Sequence, residues 1–399
     1  MTRTATTTAR AEPATPASEP ASSPPHPPPP PDADAIARAL EAFAGRRVAV
    51  ALSGGVDSAV AALRLARAGA QVVGLALRLH DPEPHNPLAP RACCAPDDLQ
   101  DARRVAEHLD VPFYVVDARE AFERGVVKPF VDAYLAGTTP SPCVGCNAFV
   151  KLDVLHARAR ALGAAALATG HYARLRPEGP WLYRGVDAKK DQSYFLFGTR
   201  PAILADLLFP LGASTKAEVR DEALAAGLPV AHKLDSQEVC FVGGGGAGRY
   251  VMQRPEAQAL RGGTIVDDAG QVLGEHAGVA HFTVGQRRNL GLGTHRRLFV
   301  LSIDAADRRV VVGDEDALLR DRLRASRASW PSGVPAAGAR VDAKIRSRDA
   351  GTPATVVAAD AATLELRFDA PVRAITPGQA VVLYAGEAVV GGAWIEGPA

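Results

Sequence analysis

Two features of the sequence are arranged to do chemistry: a Ser/Gly/Asp hexapeptide and a sparse set of cysteines. Ser53-Gly54-Gly55-Val56-Asp57-Ser58 stands between an apolar run, RRVAVAL, and a helical stretch, AVAALRLARAG. A strand-to-helix junction of this kind presents backbone N–H groups and a helix N-terminus to an anion. The two glycines let the backbone approach a phosphate closely. Ser53 and Ser58 add hydroxyl donors, and Asp57 is a candidate ligand for Mg²⁺ bridged to phosphate oxygens. The competing reading is a plain turn in which Ser and Asp act only as caps. The GKS/GKT ending of a Walker A loop is missing.

The cysteines are Cys93, Cys94, Cys143, Cys146 and Cys240. An odd, sparse count in a chain of 399 residues is not a disulfide scaffold, and reduced thiols used for chemistry or metal binding are the better reading. Three of them lie in two short motifs, Pro142-Cys143-Val144-Gly145-Cys146-Asn147 and Asp235-Ser236-Gln237-Glu238-Val239-Cys240-Phe241. Cys93-Cys94 falls in a Pro-rich loop and reads as structural or incidental.

These groups need a scaffold, and the hydrophobic rhythm supplies one. A helix over Ala35–Phe43 leads into the strand RRVAVAL, and QVVGLALRL reads as a second strand. The helix DDLQDARRVAEHL, the strand PFYVVD and a helix from Arg119 to about Leu135 follow. The loop GTTPSPCVGCN precedes another helix, and AALATGHY reads as a fourth strand. This alternation predicts a parallel sheet with helices on both faces. Helices are expected over 201–208 and 215–227, then a loop, DSQEVCFVGGGGAG, and short β pieces to about 318. From 319 onward ARVDAKIRS, ATVVAAD, TLELRFD and QAVVLY predict a small β-barrel. The expected units are therefore an arm (1–33), an α/β catalytic domain (34–200), a small mixed central domain carrying Cys240 (201–318) and the barrel (319–399).

Composition excludes several classes. The chain is 47% hydrophobic and 22% charged, as in globular proteins. No stretch approaches the roughly 20 apolar residues that cross a bilayer. A net charge of +1 means that any nucleic-acid surface must be local. Ten of the 31 prolines fall in the first 31 residues, which predicts a disordered arm. That arm lacks the apolar core of a secretory signal; Arg3, Arg10 and several hydroxyl residues leave a transit peptide open as the minority reading, with Glu12, Glu19 and the proline density against it. A cytoplasmic location is expected.

The hexapeptide resembles the pyrophosphate-binding loop of the ATP pyrophosphatases, which activate an oxygen by adenylation. The two cysteine motifs narrow the resemblance to the bacterial tRNA-specific 2-thiouridylases. So do Ala168-Thr169-Gly170-His171-Tyr172, Lys190-Asp191-Gln192-Ser193-Tyr194-Phe195-Leu196, Thr283-Val284-Gly285-Gln286-Arg287 and Thr376-Pro377-Gly378-Gln379, in the family's order between residues 46 and 396. The resemblance implies a PP-loop, Rossmann-like adenine-nucleotide domain that uses ATP and Mg²⁺ to thiolate the wobble uridine of a tRNA, with Lys, Glu and Gln tRNAs favoured. A sulfur-relay protein or cysteine desulfurase is implied as donor.

In this resemblance Cys146 is the nucleophile and Cys240 carries sulfur as a persulfide. Ala51, Leu52, Ser53, Gly54, Gly55, Val56, Asp57 and Ser58, with Leu77 and Gly170, line the ATP site. Ser141, Pro142 and Cys143 face the target base, and His171, Lys190, Asp191, Gln192, Arg346, Ser347 and Gln379 touch tRNA. Cys146 and Cys240 are 94 residues apart, so only folding can bring them together. Some relatives have Asp where this chain has Cys143, which leaves open a [4Fe-4S] cluster held by Cys143, Cys146 and Cys240. Rivals from other classes are a PP-loop amide-forming synthetase with a small acceptor and a non-catalytic tRNA-binding protein that merely senses ATP.

Overall fold

The computed structural model describes residues 27–81, 96–176, 179, 181–235, 239–243, 245–293 and 296–399. Cys93, Cys94, Ser236, Gln237, Glu238 and the Pro-rich arm up to residue 26 lie outside the described residues.

Asp32 caps the first helix, α1 (Ala33–Glu41), by accepting a hydrogen bond from the Ala35 N–H. The alternation then runs β1 (Arg47–Ala51), α2 (Val56–Arg67), β2 (Gln71–Arg78), α3 (Pro96–His108) and β3 (Phe113–Asp117). A helical run follows, with α4 (Arg119–Phe122) and α5 (Lys128–Leu135) joined through a π-turn. Next come α6 (Pro142–Cys146), a second π-turn (Asn147–Lys151), α7 (Leu152–Ala161) and β4 (Ala166–Ala168). A hairpin, β5 (Ala173–Leu175) and β6 (Leu182–Arg184), precedes α8 (Pro201–Leu204), β7 (Leu207–Leu208) and α9 (Lys216–Ala225).

Five strands form the expected parallel sheet, in the order β3-β2-β1-β4-β7. β1 is buried on both faces, which is why it reads as a continuous apolar run. Val48 and Val50 pack with α2, α3 and α9, whereas Ala49 packs on the opposite side with the α4–α7 layer. The chain leaves β1 toward β2 and β3 on one side and later places β4 on the other. A crevice therefore opens between the C-terminal ends of β1 and β4, where ligands bind in open α/β sheets.

The helix expected over 201–208 is instead α8 followed by β7, whose leucines pair with Leu167 and Ala168 at the sheet edge. Leu211, Val219, Ala223, Leu228 and Val230 then join the core of the first unit. The parallel-sheet unit thus extends well past residue 200. The arm also departs from expectation, because its last prolines are held against the β5–β6 hairpin. Tyr183 Oη donates to Pro28 O at 2.7 Å, and Arg176 Nε donates to Pro29 O at 2.7 Å.

After α10 (Gly246–Met252) a four-stranded sheet forms from β8 (Thr264–Val266), β9 (Val272–Glu275), β10 (Phe299–Asp304) and β11 (Arg309–Gly313). It folds over Ile265, Phe282, Val300, Val310 and Val312. The final strands are β12 (Leu319–Ser329), β13 (Arg340–Lys344), β14 (Thr352–Ala359), β15 (Thr363–Arg373), β16 (Ala380–Ala385) and β17 (Ala388–Pro398). They are antiparallel, and pairing of β12 with β17 closes the expected barrel. Barrel and first unit share a core, with Val382, Tyr384 and Trp394 packed in one cluster with Leu152, Leu155 and Phe197. Among the described residues no helix is long and apolar enough to cross a membrane.

Candidate active site

The loop after β1 is built from contacts that only small residues permit. Gly54 has φ +74°, and a Cβ there would sit 2.1 Å from the Asp98 carbonyl oxygen. The Ser58 hydroxyl donates to Gly55 O at 2.9 Å and accepts from the Ser53 N–H at 3.1 Å. Ser58 is therefore committed to shaping the loop rather than offering a donor to an anion, whereas Ser53 is exposed. Gly170, after β4, crosses the loop so closely that a Cβ would lie 2.7 Å from Asp57 C and Ser58 N.

These two loops floor a cavity of about 570 Å³, within the size range of small-molecule sites. Ala51, Leu52, Ser53, Gly55, Val56, Asp57, Ser58, Leu77 and Gly170 all line it, and Gly54 lies beneath the loop against Asp98. Leu75, Leu99, Leu155 and Phe195 supply apolar walls, and Lys151, Lys189, Lys190, Lys233 and Arg348 supply cations. Lys233 donates to Gly54 O at 3.0 Å and pairs with Asp98 and Asp101. Burial works against its charge, but the hydrogen bonds it donates to Asp101 and Asp98 prevail and raise its pKa.

Asp57 does not fit the role of a magnesium ligand. Lys216 Nζ lies 2.7 and 2.8 Å from its two carboxylate oxygens, and Tyr172 Oη donates to Oδ1 at 2.8 Å. Burial, then the Asp57 charge, pushes the Tyr172 pKa far up, so it stays a neutral donor. Lys216 also contacts Asp235 at 2.8 Å, and Asp235 further receives Lys190 at 2.6 Å and Arg220 at 3.1 Å. Burial would raise the Asp235 pKa, but the hydrogen bonds from Lys190 and Lys216 outweigh it and hold it at about 2.

Five residues expected to touch RNA line this same cavity: His171, Lys190, Asp191, Gln192 and, from the barrel, Ser347. Burial first, and the Lys151 charge second, depress the His171 pKa to about 3, so its imidazole is neutral at physiological pH. Gln192 Oε1 accepts from the Tyr172 N–H at 2.9 Å, and Asp191 accepts from the Gly185 and Ser193 N–H groups. Arg346 lies elsewhere, its guanidinium turned onto the Ala374 carbonyl at 2.7 Å. Gln379 donates to Thr139 O at 2.8 Å and Pro140 O at 3.2 Å, just before the first cysteine motif.

That motif forms α6, with Ser141 at its N-cap and Pro142 in its first turn, where a missing N–H costs nothing. Asn147 Nδ2 donates to Cys143 O at 3.1 Å and fixes the turn. Cys143 is exposed and Cys146 buried. Cys240 is half-buried, and with Phe241 it packs against the same hydrophobic cluster that contains Cys146. Phe241 is held edge-on by Phe122, Phe130 and Tyr250. Among the described residues no group of three or more His, Cys, Asp or Glu side chains is placed to hold a metal ion. The three cysteines therefore do not fit a cluster site in this arrangement.

Sequence reasoning missed Lys151, Lys189, Lys216 and Lys233. Lys216 carried a readable signal: it directly follows Thr215, which with Glu218 forms a capping box, so it stands in the first turn of α9. A cation there runs against the helix dipole and calls for a partner.

A phosphate-sized loop at the switch point of a parallel sheet, opening into a mixed apolar and cationic cavity, defines a nucleotide-binding α/β domain. Family models agree along the chain: a tRNA methyl transferase HUP domain over residues 46–244, a PRC-barrel domain over 252–314 and an aminomethyltransferase β-barrel domain over 320–395. The tRNA-specific 2-thiouridylase MnmA of Solibacter usitatus is 48% identical over 366 residues, covering 88% of this chain and 99% of that protein. Those of Sorangium cellulosum (48%, covering 88% of this chain and 92% of that protein) and Acidithiobacillus ferrooxidans (46%, 89% and 99%) are comparably similar. The chain belongs to the tRNA-specific 2-thiouridylase family.

Proposed function

We propose that the chain is an ATP-dependent tRNA sulfurtransferase that converts an anticodon wobble uridine to 2-thiouridine. The reading is supported by the nucleotide loop opening onto the mixed cavity and by the two motif cysteines, which lie outside that cavity but pack with one hydrophobic cluster whose Leu75, Leu77 and Leu155 also line it. ATP occupies the cavity, its phosphates facing Ser53, the N-terminus of α2 and the lysines at the rim. With Asp57 engaged by Lys216, any magnesium would have to arrive with the nucleotide rather than be held by this carboxylate, and it would neutralise phosphate charge there.

The uridine O2 attacks the α-phosphorus and pyrophosphate leaves, which turns a poor leaving group into AMP. The terminal sulfur of a Cys240 persulfide then bonds to C2 and AMP departs. The Cys146 thiolate attacks the Cys240 sulfur, the S–S electron pair passes to the new 2-thiouridine, and a Cys146–Cys240 disulfide remains for a dithiol reductant. A sulfur-relay protein or cysteine desulfurase reloads Cys240, and the tRNAs for Lys, Glu and Gln are the substrates. His171, neutral between Thr169 and the cavity, orients without adding charge beside the cations.

The test is nucleoside mass spectrometry on unmodified tRNA incubated anaerobically with the protein, Mg-ATP and a persulfide donor. A 2-thiouridine peak that requires ATP supports the reading. No peak from protein shown to bind ATP, or ATP turnover indifferent to tRNA, refutes it.

A further inference from the structure

Lys216 is only 9% exposed, yet it opens a helix whose dipole disfavours a cation at that end. The capping of α9 makes no use of its side chain, since Thr215 accepts from the Glu218 N–H and Glu218 accepts from the Thr215 N–H. What holds the ammonium there is a pair of carboxylates from two different segments: Asp57 in the nucleotide loop and Asp235, five residues before Cys240. Lys190 and Arg220 also reach Asp235, but Lys216 reaches both acids.

We propose that Lys216 is a positioning residue with two separable tasks: it masks the Asp57 charge inside the phosphate site, and it ties the segment bearing Cys240 to the nucleotide loop. The inference rests on the ATP-dependent reading above. A bare carboxylate beside a polyphosphate repels it, and Tyr172, being neutral, cannot cancel that charge. Asp235, five residues before Cys240, loses one of its three cationic contacts without this lysine.

The two tasks predict different rescue behaviour. ATP affinity is measured by calorimetry on the full chain, and Cys240 exposure by the rate of iodoacetamide alkylation read by peptide mass spectrometry. Lys216→Met weakens ATP binding by about tenfold and speeds Cys240 alkylation by about threefold or more. Adding Asp57→Asn restores most of the ATP affinity, because no charge is left to mask, while Cys240 stays fast. A merely structural lysine would not give that split. Should Lys216→Met not fold, Lys216→Gln, which keeps a donor but no charge, carries the same comparison. The inference is overturned if the double variant fails to recover ATP affinity, or if Cys240 alkylates at the wild-type rate in every variant. Neither readout uses RNA or a sulfur donor, so the outcomes stay distinct: a wild-type chain that does not bind ATP overturns the functional reading itself. ATP binding that Lys216→Met leaves untouched overturns only the inference.

Discussion

Replacing Gly170 with alanine tests whether the two loops beneath the cavity are held by backbone contact. Gly170 has no positive φ, so alanine meets no conformational strain and its effect is purely steric. The added Cβ would stand 2.7 Å from both Asp57 C and Ser58 N, whereas ordinary contact begins at 3.4 Å. Backbone cannot swing aside as a side-chain tip can, so the nucleotide loop must retreat by roughly 0.7 Å, a displacement of the order that misplaces reacting groups. Overpacking of this kind costs about 1–3 kcal/mol. Gly170→Ala is expected to lower the denaturation midpoint and to weaken ATP binding by about ten- to a hundredfold. Gly145→Ala is the control: it sits in α6 between the two motif cysteines, and its Cβ would meet nothing within 4 Å. Because alanine favours helix by about 1 kcal/mol over glycine, that variant should be neutral or slightly stabilised. Calorimetric titration with ATP and urea denaturation read both. Gly170→Ala binding ATP within about twofold of wild type would refute the reasoning.

His171 provides a pH signature. Its folded pKa of about 3 lies below the unfolded value, so protonation favours the unfolded chain; its contribution is whole above about pH 6.5 and is lost as pH falls toward 3. The chain should be about 2 kcal/mol less stable at pH 5 than at pH 7 on this account, and His171→Gln should flatten that part of a stability-versus-pH curve; an unchanged slope refutes it. Gln379→Ala removes two hydrogen bonds to the segment before α6, costs about 1–2 kcal/mol and should speed alkylation of Cys143, as followed by peptide mass spectrometry. Cys240→Ala should abolish 2-thiouridine while ATP still binds; surviving thiolation would remove the persulfide route.

Much of this was legible because it is local. The β1–loop–α2 junction, the alternation of the first unit and the β-rich end depend on short-range periodicity and turn residues. The run Ala202 to Phe209 was not legible, since a short apolar stretch fits helix and strand alike; its second half became β7 because Leu167 and Ala168 offered an open edge. The charge network was hidden for a different reason. Asp57, Lys216 and Asp235 are far apart in sequence, and nothing about a single lysine says which two acids it will meet. Motif resemblance carried residue roles but no distances. It could not foresee that Lys190, Gln192 and Ser347 share one cavity with the nucleotide loop, nor that Arg346 would turn inward onto a barrel carbonyl.

The position of Gln379 bears on how the three parts of the chain cooperate. The segment before α6 is reached from both other units: the Thr139 N–H donates to Pro377 O at 2.9 Å, and the Thr139 hydroxyl meets that of Thr283 at 3.2 Å. Gly378 approaches Thr139 so closely that a Cβ would lie 3.0 Å from its carbonyl. Two motifs remote from the cavity in sequence thus brace the approach to Cys143 and Cys146. Gln379 spends its amide nitrogen, the source of both its donors, on Thr139 and Pro140. What it retains toward RNA is an acceptor. A phosphate needs donors, so any contact Gln379 makes in this arrangement must be to a base N–H or a 2′-hydroxyl. Its removal should then loosen the cysteine loop, and an unchanged alkylation rate of Cys143 in Gln379→Ala would show that these two hydrogen bonds do not brace it.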